Sequence, residues 1–366
     1  MTRRKQRGLG TLAMCLVLLG VLALGAAWAA RQLVTAQRVA AGDFRAATAA
    51  EATESGMAWV LAMLNGGAVD DRCRAATVRP AADSAATAGA TLSDFRGRFL
   101  LIGADGYYRA PATSPPSGMP ACTNAGPLRW TCRCGASAGA VTASPGTDGE
   151  TQAQFSIRFA DAGPPGQLTV TVRGCSDARA DCADLSPGPV GVAEAAQHLA
   201  LLSALRVPPP AALVEGPGSF LRVFGYPPER YRDQPALTRL RCAADCSAVL
   251  AQALARGRRL LWIDGDAQLT QWPAAALDGT PLVLVVDGRL ELTAPGAPQG
   301  VLYAKAGIGW HPPAGSTASW RGALISDGHV DKAPGVELVH DAAVLYRVHR
   351  QMGSYLPVPG GWTPTR

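Results

Sequence analysis

Residues 9–28 read LGTLAMCLVLLGVLALGAAW, and no charged residue occurs anywhere from Gly8 to Ala30. A helix needs about 20 apolar residues to cross a bilayer, so this run is long enough to span one. Four basic residues, Arg3, Arg4, Lys5 and Arg7, precede it. By the positive-inside tendency the first residues stay cytoplasmic and everything after Arg31 is exported. The expected arrangement is a single pass through the inner membrane with a periplasmic head. Helix character continues beyond the apolar run. From Arg31 to Asn65 there is no proline and only two glycines, Gly42 and Gly56, while good helix formers dominate. Leu33, Ala36, Ala40, Phe44, Ala47 and Ala50 recur three or four apart and form a narrow stripe of mostly small residues. The reading is one unbroken helix from roughly Leu9 to Leu64, on the order of 80 Å long. Its first part, about 9–30, requires lipid or the helices of other subunits. Its second part requires the chain's own globular region.

Two other readings compete for this segment. Ala27-Trp28-Ala29 has the small-x-small form of a secretory cleavage site, but helix propensity runs straight through it. A lipoprotein signal ending at Cys15 fails, because Met14 is too large before the cysteine and no apolar region lies upstream.

The chain has 366 residues, more than one common domain of about 100–200. Hydrophobic residues make up 48% and charged residues 17%, with 41 Gly and 28 Pro, so a core forms amid many turns. Removing the four leading cations from the formal charge of +6 leaves +2, and only 6% of residues are aromatic. That balance argues against a dedicated nucleic-acid binder. Of nine cysteines, Cys15 sits in the apolar run. The other eight, Cys73, Cys122, Cys132, Cys134, Cys175, Cys182, Cys242 and Cys246, suit paired disulfides in an oxidising compartment. No C-x2-C pair and no nearby histidine favour a metal instead. Local bridges 175–182 and 242–246 are geometrically feasible, and the remaining four cysteines allow three pairings.

The first eight residues, MTRRKQRG, followed at once by the apolar helix, look like a prepilin leader and its core helix. The stretch RQLVTAQRVAAGDFRAATAAEATESGMAWVLAMLNGG resembles the N-terminal region of PilX-type type IV pilus assembly proteins, with Ala49-Ala50-Glu51-Ala52 as the family's motif. The resemblance covers about the first 67 residues and implies a minor pilin that supports pilus assembly or pilus-mediated adhesion. It further implies cleavage after Gly8 by a prepilin peptidase and methylation of Leu9. The implied partners are other pilins through the N-terminal helix, the peptidase, the inner-membrane assembly platform and the lipid bilayer.

The chain departs from the family at two mature positions. Leu9 stands where Phe is usual, and the fifth position is Ala13 instead of Glu. Cutting after Gly10 would make Thr11 first and Cys15 fifth, again without a carboxylate. In pilins that carboxylate pairs with a neighbour's terminal amine in apolar surroundings, where an unpaired charge is costly. A subunit without it suits the filament tip or a low copy number. Glu51 and Glu54, three apart on a helix, read as a solvated face. The alternatives are a tip pseudopilin of type II secretion and a secreted or periplasmic β-rich binding or adhesion protein whose signal is removed.

Beyond Asn65-Gly66-Gly67, which stops the helix, strands are expected at 99–110, 154–160 and 167–175, and a short helix at 191–206. Pro208-Pro209-Pro210 then marks a break. The fold class is α+β: leader 1–8, pilin-like helix 9–67, disulfide-containing head 68–206, and a β-rich domain 207–366. In that last domain LLWIDGDAQL (260–269), LVLVVDGRLEL (282–292), GVLYAKAGIGW (300–310) and GALISDGHV (322–330) repeat weakly, their glycines 265, 288, 307 and 328 spaced 23, 19 and 21 apart. A period near 20 fits stacked β-solenoid rungs, and a β-sandwich stays open as the alternative. The Asp-Gly pairs 264–265, 287–288 and 327–328 read as tight turns, not calcium loops. No catalytic motif, metal site or cofactor site is legible, and the expectation is a protein that binds and does not catalyse.

Overall fold

The computed structural model describes residues 7–75, 93–112, 119–124, 126, 129–134, 152–177 and 190–365. One helix dominates it. Helix α1 (Arg7–Leu64) runs 58 residues without a break, as a stretch free of proline allows. It ends at Asn65, whose side chain donates back to the Leu61 carbonyl at 3.0 Å.

The head begins with the two-residue strands β1 (Ala68–Val69) and β2 (Ser93–Asp94), paired antiparallel, and the single turn α2 (Phe95–Phe99). The expected strand at 99–110 is divided. A turn with Gly106 at φ +79° folds it into the antiparallel pair β3 (Leu101–Ile102) and β4 (Tyr108–Arg109). A larger antiparallel sheet follows, made of β5 (Ala121–Asn124), β6 (Trp130–Arg133), β7 (Gln154–Asp161), β8 (Gln167–Cys175) and β9 (Val192–Ser203).

Strand β9 corrects the helix expected at 191–206. Its Ala- and Leu-rich composition favours helix, yet it lies in full register beside β8, from Gln167 opposite Ala200 to Cys175 opposite Val192. Ala195, Gln197 and Leu199 point inward at every second position. Pairing and burial outweigh the weak intrinsic preference.

The following region contains β10 (Leu213–Glu215), α3 (Ser219–Phe224), α4 (Pro228–Tyr231), β11 (Thr238–Leu240) and α5 (Ser247–Ala255). Four two-strand coils come next: β12 (Leu260–Ile263) with β13 (Ala267–Leu269), β14 (Leu282–Val286) with β15 (Arg289–Leu292), β16 (Gln299–Ala304) with β17 (Gly307–Trp310), and β18 (Ala318–Ser326) with β19 (His329–Lys332). The first members form a parallel sheet ordered β10-β18-β16-β14-β12-β11, joined at β18 by β20 (Val336–Val339). The second members form another parallel sheet, β13-β15-β17-β19.

Leu260 pairs with Val283, Val283 with Val301, and Val301 with Ala323, offsets of 23, 18 and 22 residues. This register corrects one repeat glycine: Arg289 faces Gly307, so the residue level with Gly288 is Ala306. Each Asp-Gly pair sits at the corner between the two sheets of one coil, and not in an antiparallel hairpin. Gly288 is required there by packing, since a Cβ would fall 2.5 Å from the Gly265 carbonyl carbon of the coil before.

Burial explains the two strand patterns. The LVLVV run of β14 is buried on both faces. Leu261, Leu284, Leu302 and Leu324 pack between the sheets, while Trp262, Val285, Tyr303 and Ile325 meet Phe220, Phe224 and Tyr231 on the other side. In the second sheet β13 alternates, with Ala267 and Leu269 buried and Gln268 exposed.

After α6 (Ala342–Gln351) the chain leaves this region. Its final strand β21 (Gly353–Thr365) returns to the head and pairs antiparallel with β9, giving the order β21-β9-β8-β7-β5-β6. The sequence places residues 353–365 with the C-terminal unit, whereas their strand completes the head sheet.

Candidate functional site

The strongest functional feature is the division of α1 into a bare half and a packed half. Positions 10–47 are exposed along their whole length, with Leu24 at 73% and Phe44 at 70%. This half contains an 18-residue window of mean hydropathy 2.4, none of it buried, so the helix is long and apolar enough to cross a membrane. Gly8 and Leu9, the expected processing residues, lie in the first turns of the same helix.

From residue 48 the helix lies across β7, β8 and β9. Ala49, Ala52, Gly56, Val60 and Leu64 are buried, three or four residues apart, as one face of a helix requires. Small residues let helix and sheet approach closely. A Cβ at Gly56 would fall 2.6 Å from Val172 Cγ1, and one at Gly174 would collide with the Ala49 carbonyl. The four-residue motif is therefore split by the helix surface: Ala49 and Ala52 face the sheet, while Ala50 and Glu51 face outward. Glu54 is also exposed.

The end of α1 is held by three polar side chains. The Asn65 amide donates to the Tyr355 carbonyl at 2.9 Å and accepts from the Tyr355 N–H at 2.8 Å. Arg96, buried, donates to the carbonyls of Leu64, Gln351 and Gly353 at 2.6, 3.0 and 2.7 Å. Its guanidinium carbon also lies 4.8 Å from the centre of the Tyr355 ring. The third, Arg258, donates to the Asn65 carbonyl at 3.0 Å, while the Ala68 N–H donates to Arg256 O at 2.9 Å. The carbonyls left open at a helix end are thus used to dock both the last strand and the coiled C-terminal region. Burial pushes the Tyr355 hydroxyl up to about 12. These clamps join residues far apart in the chain, and no local sequence pattern announces them.

Three disulfides are seen among the described residues: Cys73–Cys134, Cys122–Cys132 and Cys242–Cys246. The last is one of the two local bridges expected, and the other two resolve one of the three open pairings. Cys175 is also disulfide-bonded, and Cys182 lies outside the described residues. Among the described residues no three His, Cys, Asp or Glu side chains converge as a metal site would require. No family model, curated protein or solved structure matches this chain.

Proposed function

We propose that this chain is a minor-pilin-like subunit of a type IV pilus system, anchored in the inner membrane by α1 with its head in the periplasm. The observation that carries the reading is the two-part helix: an exposed apolar half continuous with a half laid across an antiparallel sheet. Such a helix offers one surface to lipid or to a bundle of other subunits, and holds the head rigidly to it. The basic leader, the Ala49–Ala52 motif and the four cysteines paired within the head support the same reading.

In this reading the prepilin peptidase cuts after Gly8, and Ala13 leaves the bundle without the carboxylate that would neutralise a neighbour's terminal amine. The subunit therefore acts at low copy or at the tip, and its work is binding. The C-terminal region is a β-solenoid in this proposal. The parallel pairing of four successive coils supports it, because hairpins of a β-sandwich pair antiparallel. The bulk of the coils beside the head disfavours dense repetition along a filament. The test is to delete the gene and count surface pili. Loss of pili, restored by the full chain but not by a chain lacking residues 10–47, supports the proposal, and unchanged piliation together with unchanged pilus-dependent adhesion refutes it.

A further inference from the structure

Two depressions flank the seam where residues 66–68, just beyond α1, pack against residues 256–258. Their volumes are about 810 and 460 Å³, and Ala68 and Arg258 line both. Their size is that of a site for a ligand of several units. The wall is strongly one-sided in charge. The larger cavity carries four arginines and no carboxylate among its described lining residues, and the smaller has Asp94 as its one acid.

Some of these arginines are already engaged. Arg239 is paired with Asp264 and Arg259 with Asp278, each at 2.8 Å, and Arg96 is spent on the three carbonyls described above. Arg241, Arg256 and Arg347 have no ion pair among the described residues. Burial, and then the Arg256 charge beside it, holds Arg258 below the usual guanidinium range. An uncompensated cluster of this kind gains most from an anion, and the planar guanidinium fork matches a carboxylate in two-point geometry.

In the wall of the larger cavity Thr238 and Gln252 supply neutral hydrogen-bonding groups of the kind a ligand rich in hydroxyls uses. Among the described lining residues of the larger cavity there is no aromatic ring on which the bases of a single-stranded nucleic acid would stack. We propose that the larger cavity is a binding site for an acidic oligosaccharide, its uronate carboxylates held by Arg241 and Arg256 and its hydroxyls by Thr238 and Gln252. This assignment does not depend on the role of α1.

The test uses the full chain in detergent micelles, titrated calorimetrically with a galacturonate hexamer in low salt and in about 0.5 M salt, where charges are screened within a few ångströms. Oligothymidylate of matched charge is titrated alongside. The galacturonate is expected to bind, to weaken in high salt, and to lose at least tenfold in affinity in an Arg241→Gln/Arg256→Gln variant of unchanged thermal midpoint. If that variant unfolds, Arg241→Glu/Arg256→Glu, changed only at exposed positions, is expected to show the same loss. Absence of galacturonate binding, equal binding by the variants, or tighter binding of the oligothymidylate would overturn the assignment.

Discussion

Asn65 and Tyr355, 290 residues apart, exchange two hydrogen bonds in which a side-chain amide serves as the partner of a strand backbone. Asn65 thereby joins the first helix of the chain to its last strand. The head is complete only when β21 has returned from the coiled region, so head and coils are coupled through the same few residues. Asn65→Ala leaves a buried N–H and a buried carbonyl without partners, at a cost of about 2–4 kcal/mol. The expected result is a lower urea midpoint and faster amide exchange in residues 353–365, while exchange in β14 and β16 is unchanged. Equal exchange in β21 would show that the clamp holds nothing.

Close packing of α1 on the sheet makes a second expectation specific to one glycine. Gly56→Val drives a methyl-bearing Cβ into Val172 and Phe155 and is expected to destabilise the head by about 1–3 kcal/mol. Gly42, with nothing within 4 Å of a built Cβ, serves as the contrast. Gly42→Ala should leave the head's thermal midpoint unchanged and raise helix propensity by about 1 kcal/mol. Two equal midpoints would remove the packing role assigned to Gly56.

Helix α6 is capped by Asp341, whose carboxylate accepts from the N–H groups of Ala343 and Val344 at 3.0 and 3.1 Å. The Val344 N–H foremost, with Arg321 assisting, holds this carboxyl below its ordinary value of 3.8. A carboxyl lowered in the folded state contributes stability above 3.8 that disappears as pH falls through the lower folded value. Asp341→Ala is therefore expected to cost about 1 kcal/mol at neutral pH and progressively less as pH falls below 3.8. Unfolding curves of the two proteins at pH 7 and pH 3 check this, and a difference that does not shrink in acid would contradict it.

The helix and the coils were the parts most open to a sequence reader, for physical reasons. A stretch from Arg31 to Asn65 without proline leaves the backbone no reason to turn. Runs such as LVLVV, buried on both faces, have few alternatives to a covered parallel strand. Strand β9 was hidden because Ala and Leu carry helix propensity in isolation, and only its place beside β8 and β21 reverses the choice. The slip at Gly307 arose because Ala306 occupies the corner column that glycine fills in the neighbouring coils. Arg96 and Asn65 act on backbone carbonyls and amides, which every residue has, so no spacing of side chains could mark them.

In the proposed role the apolar half of α1 stays attached to the head after export. Mass spectrometry of the N-terminal peptide of the protein recovered from membranes tests it directly. The expected peptide begins at methylated Leu9 and continues unbroken through Trp28 and Arg31. A mature chain that begins at Ala30 or Arg31 would contradict it.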